Sequence, residues 1–237
     1  MALGVIFSSF GKALAQARDR SFRRVLWIGI GLTVALLVVV YATFLYFLQS
    51  VMGDTTTLPL IGEVTWINDL LGWSSFGLML ILSVFLMVPV ASAITSLFLD
   101  EVAKAVEARH YPSLPPPPKM PWWDALRDTV NFLGVLIAAN GVALMIYGFV
   151  PPLAPFIFWI VNGLLLGLEY FQLAAMRRIG RKAAKALRRR HLGTIWMAGI
   201  LMAMPLSVPF VNLVIPILGA ATFTHIYHRV AIKEGRV

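Results

Sequence analysis

The sequence predicts an all-α integral membrane protein with two long transmembrane helices, two partly penetrating helical hairpins, an interfacial N-terminal helix and a basic cytoplasmic helix. Three observations carry that expectation. Hydrophobic residues make up 59% of the 237-residue chain and charged ones 13%, with a mean hydropathy of +0.81, against roughly 25% charged residues in an ordinary soluble domain. Two stretches, residues 25–52 and 70–99, contain no charge, and each exceeds the ~20 residues that cross a bilayer core. Two later apolar blocks, 130–174 and 192–224, are interrupted by prolines; the second falls short of two ~20-residue crossings, and the return limb of the first has only about 13 apolar residues before Glu169. The whole of residues 1–237 reads as a single membrane domain.

Residues 3–18 place Leu3, Ile6, Phe7, Phe10, Leu14 and Ala17 at helical spacing, with Ser8, Ser9, Lys12 and Gln16 between them. This is the pattern of an amphipathic helix in the membrane interface. Arg18, Asp19 and Arg20 close it, and Ser21 is expected to cap the helix that follows. The apolar run 25–52 is longer than a signal-peptide core and is expected to stay in the mature protein. The loop 53–69 carries Asp54, Glu63 and Asp69 but no Lys or Arg, so the positive-inside rule puts it outside and the N-terminus in the cytoplasm. Helix 70–99 returns, kinked at Pro89. Its extension to Arg109 carries Asp100, Glu101, Lys104, Glu107 and Arg109 in the i, i+3 and i, i+4 register of an exposed helix. Pro112, Pro115, Pro116, Pro117, Pro118 and Pro121 then form a stiff cytoplasmic spacer.

Trp122 and Trp123 suit the aromatic belt before the chain enters the membrane over 130–150. It turns at Pro151, Pro152 and Pro155 and returns over 156–168, ending near Glu169 and Tyr170. That return is shorter than a usual span, so partial penetration is at least as well supported as two crossings. Residues 177–190 hold Arg177, Arg178, Arg181, Lys182, Lys185, Arg188, Arg189 and Arg190 with no acid, which reads as a basic helix on the inner membrane surface rather than a nucleic-acid patch. Pro205, Pro209 and Pro216 break 192–224. A re-entrant hairpin with its tip buried in protein satisfies both its length and its backbone hydrogen bonding. Arg229, Lys233 and Arg236 keep the C-terminus cytoplasmic. Four full crossings in the second half is the competing plan.

The sequence holds no cysteine, which excludes disulfides, thiolate catalysis and Cys-ligated metals. No nucleophile elbow, phosphate-cradling glycine loop or catalytic acid pair stands out, so no enzymatic activity, no cofactor and no metal are expected. His225 and His228 stand at i, i+3 without a third ligand and read, like His110 and His191, as side chains at membrane edges. Asn140 and Asn162, in opposite limbs of the first hairpin, are placed to pair across it. Asn212, between Pro209 and Pro216, is placed to cap freed backbone at the hairpin tip or to line a pathway. Glu169 is placed to bridge to Arg177 or, as an intramembrane acid, to serve the path. Arg23 and Arg24, where charge gives way to apolar sequence, fit two jobs: anchoring the helix to headgroups, or joining helix-start N–H groups in an oxyanion site.

The segments Ala186-Leu187-Arg188-Arg189-Arg190, Val208-Pro209-Phe210-Val211-Asn212-Leu213-Val214-Ile215-Pro216 and Gly219-Ala220-Ala221-Thr222 resemble the C-terminal signature of the CysZ family of bacterial sulfate permeases. Trp159 and Tyr170 fit the pattern preceding its basic helix. Ser21-Phe22-Arg23-Arg24 resembles the family's Gly-Leu-Arg-Arg turn, with Ser-Phe in place of Gly-Leu. The resemblance implies the same architecture, sulfate as the ligand of Ser21, Phe22, Arg23 and Arg24, and sulfate uptake across the bacterial inner membrane toward cysteine biosynthesis. Lipids and further copies of the chain are the expected partners, because partly penetrating hairpins cannot wall a pore alone. The alternative is a non-transporting membrane scaffold that contacts lipids.

Overall fold

The computed structural model describes residues 2–52, 56–58, 62–64, 77, 98–118, 122–208, 211 and 214–235. Most of the expected helix 70–99, with its Pro89, lies outside the described residues, as do Pro209 and Asn212. Helix α1 (Ala2–Gln16) leads through a three-residue turn into α2 (Arg20–Met52). Where a loop was expected, β1 (Thr56–Leu58) and β2 (Gly62–Val64) form an antiparallel ribbon with Thr57 opposite Glu63. The further α-helices are α3 (Leu99–His110), α4 (Trp122–Phe149), α5 (Ala154–Arg190), α6 (Leu192–Ala203) and α7 (Ile215–Lys233), with residues 111–118 in turn and irregular chain.

Among the described residues, three apolar stretches are long enough to cross a membrane: Arg20–Phe44, Val130–Phe149 and Pro151–Arg190. Most side chains of the first two face outward. Trp27, Val38, Val39 and Phe47 on α2, and Ile137, Leu144, Met145 and Phe149 on α4, are all more than half exposed. Water would penalise such surface at about 25 cal/mol per Å²; hydrocarbon does not. The chain is a membrane protein.

The expectation that the first return limb ends near Glu169 does not hold. α5 runs through Glu169 without a break, because one half-buried carboxylate leaves the backbone ladder intact. It breaks at Gly180 (φ 72°, ψ 170°), a conformation essentially reserved for glycine. The limb 154–179 is then about 39 Å long at 1.5 Å per residue. The break also divides the run of cations. Arg177 and Arg178 belong to the limb before Gly180 and turn inward, with side chains 9% and 10% exposed. Lys182, Lys185 and Arg189 follow it and are exposed.

α6 has 12 residues, about 18 Å, and falls short of a ~30 Å hydrocarbon core. It lies antiparallel against the first part of α5, at a contact built on Gly163, Gly167 and Gly199. A Cβ on Gly199 would stand 1.8 Å from the Gly163 carbonyl oxygen. Close backbone approach through small residues is how apolar helices associate without a hydrophobic driving force. A 3-10 turn, Met204–Ser207, follows α6. There Ser207 Oγ accepts a hydrogen bond from Trp159 Nε1 at 3.1 Å, tying the turn after α6 to the start of α5.

α7 is the post around which the bundle packs. Nearly every residue from Ile215 to Ala231 is buried, and α1, α2, α3 and α5 all touch it. It passes Thr224, the expected membrane exit, without interruption. Tyr170 and Phe223 pack together in its core, and Tyr170 closes on Gly219, where a Cβ would come within 2.4 Å of the ring.

α1 buries Ile6, Ser9, Ala13 and Gln16, spaced as one helical face. Its Leu3, Phe7 and Leu14 stay exposed at 56%, 61% and 54%. Ser9 and Gln16, expected on the watery side, instead meet protein, while the expected apolar ridge divides: Ile6, Phe10 and Ala17 pack toward the bundle and Leu3, Phe7 and Leu14 face away. The outward apolar side chains suit a helix whose outer neighbour is lipid.

Candidate functional site

α2 begins at Arg20, one residue before the expected cap. The Arg23 N–H donates to the Asp19 carbonyl at 3.0 Å, so Asp19 precedes the helix and Ser21 lies inside its first turn. The N–H groups of Arg20, Ser21 and Phe22 come before that bond and have no helical acceptor. At 3.6 residues per turn, Arg20, Ser21, Arg23 and Arg24 fall on one side of α2, with Phe22 and Val25 opposite. Burial agrees, since the first four are exposed while Phe22 and Val25 are 2% and 5% exposed in the core. Of the four residues singled out in the sequence, Phe22 therefore offers only its backbone N–H. Its side chain is the wedge that fixes the turn against the bundle.

Arg18 and Arg20 were not singled out, although the run 18–24 holds four arginines and one acid. That acid, Asp19, is held by Arg109 Nη1 from α3. The guanidinium beside it, together with a hydrogen bond from Gln16, keeps its carboxyl below the usual carboxylate range. Gln16 Nε2 also donates to the Ala105 carbonyl at 3.2 Å. The α1–α2 turn is thus tied to α3 by two side chains while its arginines remain outside.

A second polar cluster joins α3, α5 and α7. Arg178 grips Glu107 with both Nε (2.8 Å) and Nη2 (2.6 Å). Arg177 Nη1 stands 2.9 Å from Glu107 Oε2, and its Nε is 2.9 Å from Asp100. His228 Nε2 meets Glu107 Oε1 at 3.1 Å. Burial opposes ionisation of Glu107, but His228 and the two guanidinium groups outweigh it and bring its carboxyl down to about 2. Arg178 also donates to the Pro115 carbonyl, which fastens the start of the proline spacer to the bundle. Sequence spacing placed Glu107 on an exposed helix. Lys104 does pair with Asp100 and Glu101 there, at 2.8 and 2.7 Å, but Glu107 faces the opposite way.

Two of the histidines do not sit at a surface. His225 and His228 are fully buried. The Tyr111 hydroxyl lies 3.0 Å from His225 Nδ1, His110 packs edge-on against the His225 ring, and Tyr111 stacks on His228. Burial first, then His110, Lys12, His228 and Arg229, push His225 down to about 3, which keeps it neutral. His191 binds Glu234 at 2.9 Å.

Glu169 does not bridge to Arg177, whose partners are Asp100 and Glu107. It is half-buried on α5 without a partner among the described residues. Asn140 and Asn162 do not pair across the hairpin, for each donates to the carbonyl one turn back on its own helix, Leu136 and Phe158, both at 2.9 Å. Among the described residues no group of three or more potential ligands gathers as a metal site would require.

The chain from residue 9 to residue 216 matches the family described as EI24: Sulfate transporter CysZ/Etoposide-induced protein 2.4. No curated protein and no solved structure matches it significantly.

Proposed function

The chain belongs to the EI24 family, and on that premise we propose that it carries sulfate across the bacterial inner membrane toward cysteine biosynthesis. Ser21, the Phe22 amide, Arg23 and Arg24 form the ion's stop, with Arg20 added beside them. The observation that carries the reading is the outward arc of arginines over a helix start whose amides lack helical acceptors. Sulfate is a doubly charged tetrahedron with acceptors only, so it needs several convergent donors that cannot lose their protons, and guanidinium forks are such donors. At roughly 1.5–3 kcal/mol per charged hydrogen bond, two or three match a millimolar to micromolar ligand.

In this reading the basic face after Gly180 lies on the cytoplasmic leaflet with both termini on the same side, and α6 belongs to a re-entrant hairpin. A dianion cannot cross hydrocarbon, and a limb of about 18 Å cannot wall a pore alone. Two or more protomers therefore combine. Glu169 is assigned to the pathway, because an acid within an apolar helix is costly to keep, and Asn212 to capping the hairpin tip.

Radiolabelled sulfate uptake into proteoliposomes tests the proposal. Wild-type flux is expected to exceed that of empty liposomes, and the double variant Arg23→Ala, Arg24→Ala to lose most of it, about tenfold or more if each arginine supplies one charged bond. Wild-type flux from the double variant would sink the site. Wild-type protein no better than empty liposomes would turn the reading toward a lipid-contacting scaffold.

A further inference from the structure

Asp19 stands at the mouth of the proposed sulfate site, and its chemistry opposes an anion there in two ways. It is the one acid in the run 18–24. It also holds the position immediately before α2, where an aspartate carboxylate ordinarily accepts from the second or third amide of the helix. Those amides belong to Ser21 and Phe22, the donors a sulfate would use. Left alone, Asp19 would fill the site with its own negative charge. It is not left alone: Arg109, arriving from α3 some 90 positions later, takes its Oδ1. The pair is largely open to solvent, with side chains 54% and 30% exposed. A bridge of that kind adds little to stability, so the contact is better explained by what it does to the turn than by what it does for the fold.

We propose that Arg109 is a positioning residue for the anion: by neutralising the Asp19 carboxylate and turning it from the first amides of α2, it leaves the arc of Arg20, Ser21, Arg23 and Arg24 net positive and its amides free. The inference rests on the sulfate reading of that arc. It assigns α3 a part in ion binding although α3 offers the ion no donor. The other groups facing the carboxylate agree with this arrangement. Gln16 on α1 and His110 on α3 both favour its ionised form.

Equilibrium binding of radiolabelled sulfate to the purified full-length chain at low salt separates a charge-positioning role from a structural tie. Coulomb attraction between a dianion and a unit charge about 8 Å away in water corresponds to roughly a fivefold change in affinity. Arg109→Ala is expected to weaken binding by about that factor. Asp19→Ala is expected to tighten it, and the double variant to bind at least as tightly as wild type. Arg109→Lys keeps the charge and should stay close to wild type. A structural tie makes the opposite pattern: both single alanine variants weaken binding alike, and the double variant is no better. That result overturns the inference while leaving the sulfate site standing. Absence of sulfate binding by the wild type overturns both. The differences between variants should shrink as ionic strength rises, since exposed charges are screened within about 8 Å in physiological salt.

Discussion

Replacing Glu107 with alanine is expected to be among the most damaging single changes in this chain. It removes the one carboxylate among the described residues that faces both Arg177 and Arg178 as well as His228, leaving guanidinium groups in a site where their side chains are about a tenth exposed. Breaking a buried ion pair from one side costs about 3–5 kcal/mol, chiefly from the stranded charge. Glu107→Gln keeps the shape and some hydrogen bonding, so it should fall between alanine and wild type. Thermal unfolding of the purified variants measures the order, and an alanine variant as stable as wild type would refute it.

The same cluster sets a pH dependence whose sign follows from the direction of the shift. The Glu107 carboxyl lies near 2 in the folded chain against an ordinary 4.5, so the unfolded chain binds the proton more readily. Its contribution is complete above pH ~4.5 and is lost as pH falls toward ~2, a difference of roughly 3 kcal/mol. Stability of the wild type should therefore drop across that window, and Glu107→Gln should show a flatter profile there. A wild-type curve that is level from pH 5 to pH 2 would contradict the ionised cluster.

What could be read from the sequence depended on whether the signal was local. The apolar character of α2 and α4 follows from composition over one helix length, and the arginines at the start of α2 from adjacency to an apolar run. Their separation onto one side follows from helical periodicity once the helix start is known; with Ser21 as the cap that start falls two residues late, because Ser21 suits a cap as well as Asp19, the residue that precedes α2. Glu107 was hidden for a different reason. Its spacing to Lys104 is that of a solvated ion-pair helix, and nothing within ten residues marks it as buried. Its partners lie some 70 and 120 positions downstream on α5 and α7. The run 177–190 looked uniform because charge does not reveal a φ angle, and only the backbone at Gly180 separates the inward pair from the outward stripe. Histidines 225 and 228 read as edge side chains because an apolar block was expected to end there, whereas α7 continues and is buried without a gap from Ile215 to His228.

Gly199→Leu is expected to separate α6 from α5. Three glycines make the α5–α6 contact, and at Gly199 a Cβ would sit 1.8 Å from the Gly163 carbonyl oxygen and 2.8 Å from its carbon. Both obstructing atoms are backbone, so no rotamer change relieves the overlap and the helices must move apart. That movement withdraws α6 from Gly167, where the Ile195 carbonyl oxygen comes within 2.7 Å of a Cβ position. It also pulls on the Trp159–Ser207 bond. Overpacking in a dense core ordinarily costs about 1–3 kcal/mol when side chains can adjust; here they cannot, and the loss should meet or exceed the upper end. Gly193→Leu is the control, since a Cβ there meets nothing within 4 Å on the same helix. Unfolding measurements should show Gly199→Leu far below wild type and Gly193→Leu close to it. If the two variants unfold together, α6 does not pack on α5 through these glycines. If only Gly199→Leu fails, the short helix is held by backbone contact with α5, which provides the protein partner that a limb too short to cross the membrane requires.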